Sequence, residues 1–139
     1  MKKTLFSALF ILCSLSVFAQ TDSLSFKGHL ENKEYNIFIN MDFYHNNITI
    51  PNQEIFGEMA GYLGDYNDGR RWLIVEAKVV NHKALLQMIN DYGSEDLNAT
   101  LTIEKDGSYS LEQGEGSTIK IARNRKWVKL PAKISFIKK

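Results

Sequence analysis

Asn98-Ala99-Thr100-Leu101-Thr102-Ile103-Glu104, then Lys105-Asp106-Gly107-Ser108, then Tyr109-Ser110-Leu111-Glu112-Gln113 is the run that decides the fold class. Its two outer parts alternate apolar and polar residues, so each offers one face to a core and one to water. An Asp-Gly pair between such runs is the strongest short-range signal for a β-hairpin. Gly114-Glu115-Gly116 reads as a second turn, returning the chain through Ser117-Thr118-Ile119-Lys120-Ile121. Three successive strands in a meander are the expectation, and the remaining segments read as additions to that sheet.

Upstream, Leu24 to Leu30 reads as a first strand, with Leu24, Phe26, Gly28 and Leu30 on one face. Tyr35, Ile37, Ile39, Met41 and Phe43 alternate with Asn36, Asn40 and Asp42, and Phe38 alone breaks the pattern. Ile48 and Ile50 begin a short strand that Pro51 ends, since proline cannot donate to a ladder. Glu54 to Leu63 alternates but contains Gly57 and Gly61, which mark bends of a curling sheet. Arg71 to Val80 is too continuously apolar for a strand with one wet face, and both its faces should be covered. Lys83 to Tyr92 fits two periods. Ala84, Leu85, Met88, Ile89 and Tyr92 have helical spacing; Leu85, Gln87 and Ile89 alternate, with Asn81-His82 as a hairpin turn. The neighbouring strands favour the second, and a short helix around 82–92 stays open. Downstream, Asn124 to Trp127 turns the chain, and Pro131 separates Val128-Lys129-Leu130 from a last strand, Ile134 to Ile137. The fold reads as all-β, an antiparallel meander of about eight to ten short strands forming a small barrel or a two-layer sandwich.

The first residues read as an address. Lys2 and Lys3 precede an apolar run from Leu5 to Phe18, and Val17-Phe18-Ala19 supplies the small residues of a cleavage site. Residues 1–19 are therefore a secretory signal peptide and 20–139 a single domain. The apolar run is short for a membrane span, which needs about 20 residues, and no later run suffices. Cys13, the sole cysteine, lies within the leader, so the mature chain has no disulfide and no thiol chemistry.

Charge is balanced overall but lopsided. From Gln20 to Ile119 there are 7 Lys/Arg against 16 Asp/Glu; from Lys120 onward there are 8 Lys/Arg and no acid. A basic terminal segment either meets an anionic partner or blunts an edge strand against aggregation. Export removes nucleic acid from the candidate partners.

Catalytic signatures are absent. The three histidines have no ligand-type partner at metal-binding spacing. Asp65-Tyr66-Asn67-Asp68-Gly69 has its glycine a position early for a calcium loop and lacks the closing Glu. There is no Gly-x-Ser-x-Gly elbow and no phosphate-cradling loop. A non-enzymatic chain without metal or other cofactor is expected.

Two clusters combine rings with cations. One comprises Tyr62, Tyr66, Arg70, Arg71 and Trp72; the other comprises Arg123, Arg125, Lys126, Trp127 and Lys129. Such pairs stack on sugars or grip anionic head groups, although each tryptophan could equally serve the core.

With its leader, its alternating strands, Phe56-Gly57 to Gly61-Tyr62 and the closing Lys126-Trp127, the chain from Phe26 to Phe136 resembles small secreted bacterial β-meander domains of unassigned function. In size it also resembles lipocalin-like barrels and periplasmic lysozyme inhibitors, without their common disulfides. The resemblance implies an exported binding domain, periplasmic or extracellular, and assigns no residue a role. The leading expectation is a binding module for an envelope glycan, a lipid head group or a protein. The alternatives are a carrier of a small apolar ligand in a barrel interior and a structural or inhibitory protein-interaction domain.

Overall fold

The computed structural model describes residues 24–139; the expected leader and its cleavage site lie outside them. The strands are β1 (Lys27–Asn32), β2 (Ile37–Asp42), β3 (Ile48–Thr49), β4 (Glu58–Met59), β5 (Gly61–Asp65), β6 (Trp72–Val80), β7 (Lys83–Asn90), β8 (Asp96–Ile103), β9 (Tyr109–Gly116), β10 (Lys120–Arg123), β11 (Lys126–Lys129) and β12 (Lys133–Lys138). Eight of them close into an antiparallel barrel in the order β1-β12-β9-β8-β7-β6-β5-β2. Between barrel and sandwich, the fold is therefore a barrel. It runs up and down in chain order, with two hairpins inserted: β3–β4 between β2 and β5, and β10–β11 between β9 and β12. The segment around 82–92 is strand β7, not a helix. It pairs with β6 and β8 along its length, and Asn81 at φ 58° makes the preceding turn.

Alternation explains the inside. Leu30, Ile37, Ile39, Met41, Leu63, Ile74, Leu86, Met88, Leu101, Leu111, Ile134 and Phe136 are all buried, while their polar neighbours face out. An apolar interior with a largely polar exterior is the reverse of a lipid-facing barrel, whose outer band is apolar. Phe38 breaks the pattern because it points outward. It packs edge-on against Tyr62, with ring centres 5.8 Å apart, and lies 4.7 Å from Tyr66. Gly64 makes room for it, since a Cβ there would run into the Phe38 ring. Around Tyr62 and Leu73, the β3–β4 segment lays Ile48, Ile50 and Met59 over the outer wall as a second small core.

Four expectations change. Trp72, Leu73 and Ile74 of β6 do have both faces covered, but the run does not continue so. Val75 is an extra residue, because Ile74 pairs with Met88 and Glu76 with Gln87; beyond this bulge β6 has a wet face. Gly114-Glu115-Gly116 is not a turn. Leu97 pairs with Gly116 and Ala99 with Gln113, so Gly114-Glu115 opposes Asn98 alone as a β-bulge. The third strand of the meander is consequently β12, not β10. Glu54 to Leu63 is not one strand: it divides into a 3-10 turn (Glu54–Phe56), β4 and β5, with Gly57 at φ 72° at the break. Leu24, expected to share a strand face with Phe26, Gly28 and Leu30, precedes β1 and is exposed.

Candidate functional site

Antiparallel alternation sends the β1–β2, β5–β6 and β7–β8 loops and the β10–β11 hairpin to the same end of the barrel. The hairpin turns through Asn124 (φ 54°) and Arg125 (φ 64°), the left-handed pair that a two-residue turn requires. Ile119, Ile121 and Leu130 join the barrel core, so the hairpin lies across this end. Arg123 fastens it. Its guanidinium forks onto Asp65 at 2.6 and 2.9 Å and donates to the Tyr35 carbonyl at 2.6 Å. Lys120 pairs with Glu95 at 3.0 Å.

Between the hairpin and the β5–β6 and β7–β8 loops lies a cleft of about 220 Å³. Trp127 and Tyr92, at 59% and 72% exposure, stand on its margin. Arg70, Arg71, Asn90, Asp91, Ser94, Glu95 and Lys120 give it a polar lining, and Trp72 forms part of the wall. Arg70 lies 5.1 Å from the centre of the Trp127 ring while both Asp68 oxygens hold its Nη1, at 3.0 and 2.9 Å. The acid raises the pKa of Arg70 further above its ordinary value. Asp91 accepts from the Arg71 backbone N–H at 3.2 Å and from Gln53 Nε2 at 3.3 Å. Asn90 Oδ1 accepts from the backbone of Ser94 and Glu95, shaping the loop that carries Tyr92.

The two clusters expected from sequence therefore meet, through Arg70 and Trp127, but only some of their members face the cleft. Arg70, Arg71, Trp72 and Trp127 line it. Trp72 is otherwise buried, and Tyr62 is buried in the outer core with its hydroxyl taking a hydrogen bond from Asn40. Arg125, Lys126 and Lys129 are exposed at the hairpin. Arg123, expected among the binding cations, instead turns in to Asp65, whose side chain is only 4% exposed and needs its charge balanced. Lys120 and Lys133 face outward beside buried Ile119, Ile121 and Ile134, as alternation requires. Asn90, Asp91, Tyr92, Ser94 and Glu95 were missed; in sequence they show only turn chemistry.

Tyr66 belongs to another network on the outer wall. Its hydroxyl donates to Glu31 at 2.7 Å and lies 2.9 Å from His29 Nε2, whose Nδ1 meets Asn40 Oδ1 at 2.5 Å. The bond from Tyr66, with Lys139 next, holds Glu31 at about 2, well below the usual carboxylate range. Burial and the Glu31 carboxylate push Tyr66 to about 12.

Among the described residues no group of three His, Cys, Asp or Glu is placed to hold a metal ion. No family model, no curated protein and no solved structure matches the chain.

Proposed function

We propose that this protein is an exported, non-enzymatic carbohydrate-binding module whose sugar sits in the cleft beside Trp127. The observation that carries the reading is the pairing of two exposed rings, Trp127 and Tyr92, with a polar lining of amide, hydroxyl, carboxylate and guanidinium groups. A sugar ring has an apolar face that stacks on an aromatic and a rim of hydroxyls that both donate and accept, and this lining offers partners of both kinds. Charge pairing favours a glycan over a lipid head group. Within the cleft, Arg70 and Lys120 are each held by a carboxylate, which leaves its lining little free positive charge beyond Arg71. The carrier reading is disfavoured because Ile37, Ile39, Met41 and Trp72 all pack in the barrel interior.

The test is isothermal calorimetry against a panel of envelope oligosaccharides. Binding by the wild-type protein, lost in Trp127→Ala while Trp72 fluorescence keeps its folded spectrum, supports the reading. A Trp127→Ala protein that binds as well as wild type removes the cleft from consideration. A second reading, protein binding, has one specific support: among the described residues β11 pairs only with β10 and exposes all four of its residues, so its outer edge offers pairing to an added strand.

A further inference from the structure

We infer that the sugar recognised in this cleft carries a carboxylate, as a uronic acid does, and that Arg71 is the residue that selects it. The inference rests on the carbohydrate reading and narrows it.

Of the cations at this end of the barrel, Arg70, Arg71 and Lys120 line the cleft, while Arg125, Lys126 and Lys129 are exposed on the hairpin outside its lining. Arg70 is spent on Asp68, Lys120 on Glu95 and Arg123 on Asp65. Arg71 differs: among the described residues it forms no ion pair, and its guanidinium makes a single hydrogen bond, from Nη1 to the Gly69 carbonyl at 3.0 Å. The rest of its planar fork of donors is unspent. The side chain is half-buried, its guanidinium carbon 6.0 Å from the centre of the Tyr62 ring, so the chain is supported along its length rather than free to sweep through solvent. Asp91, an acid of the lining, accepts from the Arg71 backbone N–H and from Gln53 at Oδ2, not from the guanidinium.

A planar, permanently charged fork with free donors matches a carboxylate, which accepts two parallel N–H bonds from it. The cleft also holds two acids, Asp91 and Glu95, of which Glu95 is paired with Lys120. Arg71 is the one lining cation without an acid partner among the described residues, so a single carboxylate directed at it is matched. Trp127 and Tyr92 then hold the ring, and Arg71 reads its acidic substituent.

The experiment compares three tetrasaccharides of one linkage, neutral, uronic and sulfated, by calorimetry at low and high salt. Wild type should bind the uronic ligand about tenfold more tightly than the neutral one at low salt, as a charge-assisted pair in a partly enclosed site does. The difference should shrink with salt. Arg71→Gln should abolish the preference by lowering uronic affinity more than neutral affinity, and Arg71→Lys should restore only part of it, lacking the fork. Equal neutral and uronic affinities in wild type, or an unchanged preference in Arg71→Gln, overturn the inference and leave carbohydrate binding standing. Tighter binding of the sulfated ligand than the uronic one overturns the carboxylate. Failure of all three to bind overturns the carbohydrate reading itself.

Discussion

Arg123 and Asp65, 58 residues apart in sequence, form the forked ion pair that ties the β10–β11 hairpin to the barrel wall at β5. Asp65 is almost entirely enclosed and Arg123 about a quarter exposed. Removing the arginine strands a carboxylate away from water and also leaves the Tyr35 carbonyl without its donor. Arg123→Ala should therefore cost about 3 kcal/mol in urea unfolding, at the low end for breaking a buried pair. Arg125→Ala, on an exposed side chain, should cost under about 0.5 kcal/mol. Equal effects at the two positions would dismiss the clamp.

Acid should weaken the outer-wall network through Glu31. Its carboxyl is held at about 2 against an ordinary 4.5, first by the Tyr66 hydroxyl and then by Lys139. A depressed folded pKa gives stability that is complete above the unfolded value and lost as pH falls toward the folded one. The melting temperature of wild type should drop between pH 4.5 and 2 by more than that of Glu31→Gln. Parallel curves for the two proteins would deny the coupling. Tyr66 acts at the other extreme. Its pKa is raised from 10 to about 12, so its contribution is lost as pH climbs across that interval, and Tyr66→Phe should lack that loss.

Glycines at two positions should differ in cost for different reasons. Gly107, at φ 88°, faces open space, so Gly107→Ala meets only left-handed strain, about 1 kcal/mol. A Cβ on Gly61 would press on the backbone of β2, at Asn40 O and 3.0 Å from Met41 Cα. Two paired strands would have to separate, and Gly61→Ala should cost about 3 kcal/mol or prevent folding. Thermal melts of both variants rank them; a more damaging Gly107→Ala would reverse the assignment.

The two tryptophans should be separable by quenching. Trp127 is 59% exposed and Trp72 only 6%. Acrylamide should quench wild-type emission in two classes, and Trp127→Phe should leave one blue-shifted, poorly quenched component. A single accessible class in that variant would contradict the burial of Trp72.

Period-two strands were legible because burial acts on each residue locally. Ile37, Ile39 and Met41 announce an inner face whatever their strand pairs with. Asp106-Gly107 was legible too, although the loop is the three-residue kind: Gly107 alone of its residues has positive φ, and Glu104 N donates to Ser108 O. What sequence hid was non-local. Gly114-Glu115-Gly116 has turn composition, yet its glycines serve a bulge against β8, and a Cβ on Gly116 would lie 2.7 Å from Leu97 Cα. Nothing near Lys120 reveals that β10 leaves the sheet, because the partner that replaces it, β12, comes after the hairpin. The cleft was half legible. Both ring-and-cation clusters were visible, but their meeting through Arg70 and Trp127 depends on where the hairpin lies. Arg123 looked like a free cation because its acid is far upstream.

The seam between β1 and β12 is short: Leu30 faces Lys138, Glu31 faces Ile137, one further backbone bond joins Lys139 N to His29 O, and Asn32 Nδ2 donates to the Ser135 carbonyl. Sealing it brings together segments separated by roughly a hundred residues, an ordering cost that is met only late in folding. Until then β1 and β9 present raw edges, on which strands from other chains can add. β12 is thus the keystone of the barrel: it covers both of those edges at once.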